Sequence, residues 1–352
     1  MGLFDGLFGS GEIDENSSVK DLAKFAKSKD EYIRQEVAEH KNCTIELLEL
    51  LSKDEVSTVR KYVALNENCT TELLELLSKD EEFDVREGVA ESPNCSKELL
   101  EVLKDDEWQG VCNTALEKLI ELDPNLIQEL IESGNEKYLN FLAGYSETTE
   151  ENLLKIAKDC NHEILEKIFY NENLKEKSIE SLYKKHKNDE NFHHLASEIT
   201  RNTNTPVKII KDIYESFKDP EDGIPFDRIM TNIAYLEKTP KDILAELSDH
   251  EEGGVRENVA MNLSTPLEIN VKLVSDSLSY VISEALLTLY EKRTEPKDEL
   301  LVILKDIVGK LSATGEKVGE LGGGDVVSGG LMQEDVDFHT EKINSRIKEL
   351  EG

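Results

Sequence analysis

Basic side chains are in short supply. The 352 residues carry 41 lysines and arginines against 75 aspartates and glutamates, a formal net charge of −34. A polyanion of this kind repels phosphate backbones, which excludes general DNA or RNA binding and charge-driven docking on an anionic membrane. Long apolar runs are also lacking: none approaches the roughly 18 residues that a membrane-spanning helix needs. The first ten residues, MGLFDGLFGS, have neither the basic start nor the apolar length of a secretory signal. Gly6 stands where a myristoylation pattern requires Ser or Thr. The five cysteines are an odd number in a long chain, which points to reduced thiols in a cytosol rather than a disulfide framework. One tryptophan and ten tyrosines are too few for a base-stacking platform. The expectation is a soluble cytoplasmic protein.

Catalytic patterns are missing as well. There is no Gly-x-Ser-x-Gly elbow and no His-Glu-x-x-His, and Lys317 lies at the wrong place for a phosphate loop among Gly315 to Gly324. His186, His193 and His194 suggest one helix face, and Cys160 with His162 makes a two-residue ligand fragment. Neither set has a third and fourth ligand at sensible spacing, and the run Lys184-Lys-His-Lys187 would repel a cation. Carboxylate pairs are so numerous that they carry no signal. No enzyme activity, metal or cofactor is expected.

What is present is repetition. Asn42-Cys43 recurs as Asn68-Cys69 and Asn94-Cys95, a step of 26 residues both times. Leu47-Leu48, Leu73-Leu74 and Leu99-Leu100 keep the same step, as do Asp54, Asp80 and Asp106. Ile33-Arg34, Val59-Arg60 and Val85-Arg86 follow it too, and the phase returns with Val255-Arg256 between Thr239-Pro240 and Thr265-Pro266. A fixed register over so many positions means stacked supersecondary units.

Each unit reads as two helical halves. The run Glu46-Leu-Leu-Glu-Leu-Leu51 has i, i+3, i+4 apolar spacing and predicts an amphipathic helix of about ten residues. Its start is expected at Cys43, Cys69, Cys95, Thr239 or Thr265, each a small residue with a carboxylate three positions on, the capping-box spacing. Prolines 206, 240 and 266 are expected just inside the helix. The second half, Val59 to Ala64, predicts a shorter helix with Val and Ala on one face. The sequence therefore predicts an all-α chain: a right-handed α-solenoid of about eleven repeats of ~26 residues. The expected organisation is a short amphipathic segment at 1–14, the solenoid at 15–312 with a protruding loop near 218–225, a Gly-rich linker at 313–332 and an amphipathic helix at 333–352.

The Leu-Leu-x-Leu-Leu run, the Asp-x5-Arg step, the Val-Arg-x-x-Val-Ala block and the Thr-Pro or Cys-Thr start resemble the leucine-rich repeat variant family and, more broadly, HEAT-type α-solenoids. The resemblance covers residues 16–116 and 239–286. It implies paired helices stacked into a superhelix that serves as a binding scaffold. One protein type of that family carries an iron–sulfur cluster in a cysteine-bearing domain before its repeats, but residues 1–42 here hold no cysteine. Cys43, Cys69 and Cys95 share their repeat position with threonines and are read as structural.

Arginine is used sparingly, with eight in the chain, and Arg34, Arg60, Arg86 and Arg256 occupy one repeat position. They form either an anion-binding stripe or an inter-repeat ladder that forks onto Asp54, Asp80 or neighbouring carbonyls. The constant six-residue step from Asp favours the ladder. Leu3, Phe4, Leu7 and Phe8 make a possible docking element for a partner groove or a bilayer, or a cap on the first repeat. The C-terminal helix has similar alternatives: folding back, self-association or partner binding.

The function expected from all this is a non-catalytic protein–protein interaction scaffold. Its acidic surface would attract a partner with a basic segment. The alternatives are a HEAT-like enzyme or a cofactor-handling protein related to tetrapyrrole or iron–sulfur chemistry, and a peripheral membrane protein held by residues 1–10.

Overall fold

The computed structural model describes residues 13–219, 227–293, 297–319, 331 and 333–351, without the side chains of 312–319 and 333. Leu3, Phe4, Leu7 and Phe8, most of the loop at 218–225 and the glycine run 322–330 lie outside the described residues. Among the described residues there are twenty-two α-helices and one π-helical turn. The chain divides into two compact units, Met1–Leu142 and Ala143–Gly352.

The first unit holds α1 (Val19–Phe25), α2 (Glu31–Glu39), α3 (Ile45–Leu51), α4 (Ser57–Leu65), α5 (Thr71–Leu77), α6 (Phe83–Glu91), α7 (Lys97–Leu103), α8 (Gln109–Leu122) and α9 (Leu126–Ser133). Helix α10 (Glu136–Gly144) runs across the unit boundary. Even-numbered second helices stack directly on one another, α2 on α4, α4 on α6 and α6 on α8. They carry the core, with Val59, Val63, Val85 and Val89 fully buried. Each such side chain contributes about 1.5–3 kcal/mol of burial. Gly88 permits the close approach of α6 to α4: a Cβ there would stand 3.2 Å from the Lys61 carbonyl oxygen. Gly134, at φ 65°, takes the left-handed turn that ends α9.

The two halves differ from expectation in length. First helices α3, α5 and α7 have seven residues and second helices α4 and α6 have nine, so the second half is the longer. The first helix stops early because Ser52 and Ser78 bond back to the carbonyls of Glu49 and Glu75, both at 3.0 Å. Asp54 and Asp80 then accept the N–H two residues on, from Val56 and Glu82, and so turn the chain into the second helix. Helices this short are not stable alone, and their stability comes from the stack.

The helix starts also shift by one residue. The N-caps are Thr44, Thr70 and Ser96, not Cys43, Cys69 and Cys95. Thr70 Oγ1 and Ser96 Oγ accept from the N–H groups of Leu73 and Leu99. Glu46 is therefore the second helical residue, one short of the capping-box position. Likewise Pro240 and Pro266 occupy the N-caps, and Thr239 and Thr265 precede them. These two threonines are buried and cap the end of the preceding helix, donating to the carbonyls of Ile233 and Val259 at 2.5 and 2.6 Å.

The second unit continues with α11 (Glu150–Ile156), α12 (His162–Tyr170), α13 (Glu176–His186), α14 (Phe192–Arg201), α15 (Val207–Phe217), α16 (Asp227–Tyr235), α17 (Lys241–Leu247), α18 (Gly253–Met261), α19 (Leu267–Leu273) and α20 (Ser279–Leu287). Its second helices stack in the same manner, from α12 on α14 to α18 on α20. A π-helical turn, Thr288–Lys292, then leads to α21 (Lys297–Gly319) and α22 (Gln333–Glu351). Ten helical pairs precede this end, against the eleven repeats expected. The final place is taken by α21, a 23-residue helix that pairs with α22. Helix α21 runs as far as Gly319, into the span read as a linker. Of the C-terminal alternatives, folding back is what occurs: Ile343 and Ile347 are buried in one cluster with Leu289, Leu304 and Ile307.

Candidate functional site

Arg34, Arg60, Arg86 and Arg256 sit in the first turns of second helices, so each faces the loop that opens the next second helix. Arg60 donates from Nε and Nη2 to both carboxylate oxygens of Asp80, at 2.7 and 2.8 Å, and from Nη1 to the Asp54 carbonyl at 2.7 Å. Arg34 forks onto Asp54 at 2.6 and 2.8 Å, and Arg86 onto Asp106 at 2.7 and 2.9 Å. Arg256 repeats the arrangement in the second unit, reaching Asp276 at 2.7 and 3.0 Å and the His250 carbonyl at 2.7 Å. Each of the four thus joins neighbouring repeats. For Arg60 and Arg86 the six-residue step is a bond to the aspartate's backbone, with Ser28 and His250 in that place for Arg34 and Arg256, while each carboxylate serves the arginine 20 residues earlier. Asp106 and Asp276 are the rungs that the sequence reading left out, although the Arg-to-Asp spacing of 20 was visible.

These pairs are nearly dry, with side chains between 8% and 11% exposed. Burial works against the charge on Asp54, Asp80, Asp106 and Asp276. The arginine fork and the N–H two residues on outweigh it and hold each carboxyl below the ordinary aspartate range. Both forks of every guanidinium are spent inside the fold, which leaves no stripe of arginines to bind an anion.

A second ladder, of asparagines, was not read from the sequence. Asn66 donates from Nδ2 to the carbonyls of Ala38 and His40, 2.6 and 3.2 Å away, and its Oδ1 accepts from the Asn68 N–H. Asn68 in turn holds the carbonyls of Lys41 and Cys43, and Asn94 those of Glu67 and Cys69. Asn171 and Asn173, Asn202 and Asn204, and Asn262 with Ser264 do the same in the second unit. Asn66, Asn171, Asn202 and Asn262 thus reach a carbonyl in the last turn of the neighbouring second helix, and Asn68, Asn94, Asn173 and Asn204 tie down the loop that follows such a helix. The signal was the recurring Asn-x-Asn, two residues apart.

The cysteines lie inside this framework. Cys43 and Cys69 are buried and Cys95 is half-buried. Burial pushes their thiols up to about 11, about 12 and about 11, so they are neutral and poor nucleophiles. The histidines regroup. His193 and His194 lie with ring centroids 4.1 Å apart and His162 stands 6.5 Å from His194, while His186 bonds Asp189 at 2.8 Å. Among the described residues no group of three or more His, Cys, Asp or Glu side chains is arranged to hold a metal ion. No helix among them is long and apolar enough to cross a membrane. In the second unit an open cleft of about 410 Å³ is lined by Tyr235, Leu236, Met261, Leu263 and Lys292.

The outer face of the first helices has a different character. Glu46, Glu49, Glu72, Glu75 and Glu98 are exposed and form no ion pair among the described residues. Leu50, Leu76 and Val102 are exposed between them.

No family model matches the chain, and no curated protein matches it. Among solved structures it is similar to an engineered protein determined by the Northeast Structural Genomics Consortium. The identity is 14%, the match covers 94% of this chain and 97% of that one, and the TM-score is 0.21. At that score the assignment as a helical-repeat protein rests on the helix pairs and ladders described above.

Proposed function

We propose that this chain is a non-catalytic scaffold of the HEAT-like, leucine-rich-repeat-variant type that binds a protein partner through a basic segment. One observation carries the reading: the ladder charges are consumed inside the fold, while Glu46, Glu49, Glu72, Glu75 and Glu98 on the first helices of the first unit stay in solvent with no ion-pair partner among the described residues. Structure needs the first set. The second set lies in solvent and generates a field that draws in Lys- and Arg-rich segments. The same field disfavours nucleic acid. The buried neutral thiols suit a reducing compartment such as the cytoplasm.

Partner capture from the native host, followed by cross-linking to locate the contacts, tests this. Captured segments should be rich in Lys and Arg, and capture should fall sharply between low salt and about 0.5 M, where screening is strong. Salt-insensitive capture that is lost on removing residues 1–10 or 333–352 would move the docking role to the tails and reduce the acidic surface to a solubility device.

A further inference from the structure

Phe83 is the first residue of α6, and Trp108 is the N-cap of α8. Where these two helices stack, the rings stack as well, with centroids 4.2 Å apart and planes 24° from parallel. Both rings stay open to solvent, Phe83 at 40% and Trp108 at 49%. The repeat does not require the pair. One step earlier the same two places hold Ser57 and Glu82, and where α18 meets α20 they hold Gly253 and Leu278. Trp108 is the only tryptophan of the chain, and tryptophan is among the side chains in which binding energy concentrates at protein interfaces.

The surroundings select what covers the pair. Glu81 and Glu82 precede Phe83 in the chain, Glu107 precedes Trp108, and all three are exposed. Glu107 stands 3.6 Å from Arg86 Nη2, but that arginine is already forked onto Asp106. Lys137 donates to the Asp106 carbonyl at 3.1 Å. Among the described residues no lysine or arginine lies over either ring, whereas Arg201 covers Tyr170 at 4.6 Å and Lys342 covers Phe338 at 5.5 Å. A ring face attracts a cation, most strongly at tryptophan, and nearby carboxylates add to the attraction. The same carboxylates repel an acidic segment. We propose that the Phe83–Trp108 pair receives an Arg or Lys side chain from a basic segment of a partner protein, laid on the rings with Glu81, Glu82 and Glu107 close by in the two turns. This rests on the scaffold reading and gives it an anchor point.

Because Trp108 is the only tryptophan, its emission reports on this place alone. The probe is a tryptophan-free peptide of about ten residues in which arginine and serine alternate. Unlabelled peptide is titrated into the full chain at low salt while the emission is followed. Affinity is measured separately by the anisotropy of fluorescein-labelled peptide. The emission should change with the same midpoint as the anisotropy. The variant F83S/W108L sets at both positions residues that other repeats carry there, so its melting curve should stay near that of the parent. It should bind the labelled peptide at least about threefold more weakly. Binding that leaves the emission unchanged, or an affinity unaltered in the variant, would overturn the anchor and leave a purely electrostatic scaffold standing. Absence of binding even at low salt would sink the anchor and the scaffold reading together.

Discussion

Every ladder aspartate turns its own chain through Oδ1 and anchors the arginine of the preceding repeat, and Asp54 and Asp80 also lend their backbone carbonyls to the arginine that follows. Truncating Arg60 leaves the Asp80 charge nearly dry and unpaired, so Arg60→Ala should cost about 3–5 kcal/mol in a urea titration. The double change R60M/D80L should recover much of that loss, since a well-packed apolar pair is often neutral. Arg60→Lys keeps the charge but cannot fork onto two oxygens, so it should fall between the parent and Ala.

The aspartates titrate below their ordinary range in the fold, so the sign of the pH effect is set. A depressed carboxyl contributes stability above its unfolded value, near 4, and loses it as pH falls through the folded value. The urea midpoint should therefore be insensitive to the ladder from about pH 5 to 7 and drop below about pH 4. The drop should be smaller in R60M/D80L. An equal drop in both proteins would assign acid sensitivity to other groups.

Cysteine was legible as a structural, interchangeable position at a helix start but not as an end cap, because the 26-residue register aligns residues without saying which helix each one serves. Thr239 and Thr265 show the function at that position: a hydroxyl that closes the carbonyl six residues back. Cys69→Thr should gain the corresponding bond to the Val63 carbonyl. Stability should rise by about 0.5–1.5 kcal/mol, measured by thermal unfolding under reducing conditions.

At the scale of the element, the asparagines decide how one helical pair meets the next. Asn66→Ala would take the side-chain donor from the Ala38 carbonyl, while the His40 carbonyl keeps the Cys43 N–H. Each unsatisfied buried acceptor costs about 1–3 kcal/mol. Asn66→Asp should be worse, since it sets a carboxylate against two carbonyl oxygens. Amide exchange should show the opening spread into α2 and α4, whose contact the bond supports. Equal protection there in parent and variant would mean that apolar packing alone sets the register. Sequence periodicity located Asn42, Asn68 and Asn94 without revealing a role and passed over Asn66, because a polar residue beside a turn reads equally as a solvated loop. The first and second helices were both legible, but their relative lengths were not. Side-chain bonds at Ser52 and Asp54 end one helix and start the other, and apolar spacing carries no trace of them.

At the scale of the whole molecule, repetition made the all-α array and its approximate number of repeats legible, but not that a long helical pair takes the last place. The π-helical turn at Thr288–Lys292 ends the alternation of short helices, and α21 and α22 close the second unit as a long pair. Isoleucines 343 and 347 showed an apolar face, yet only the packing shows what covers it. The acidic surface was legible from composition alone. Its division into buried ladder carboxylates and exposed first-helix carboxylates was not, because net charge does not say which charges are paired.

That division is the central claim, and one kinetic measurement addresses it. The association rate of a lysine-rich peptide with the full chain is followed by stopped flow as ionic strength is raised. The parent is compared with E46K/E72K/E98K and with a triple reversal of exposed acids on second helices, E31K/E39K/E91K. Steering depends on where charges lie, and screening sets in over about 8 Å at physiological salt. The account predicts that the rate falls steeply with salt in the parent. It predicts that the first-helix reversal slows association by about tenfold at low salt and that the second-helix reversal has a much smaller effect. Equal slowing by both triples, or a rate independent of salt, would contradict it.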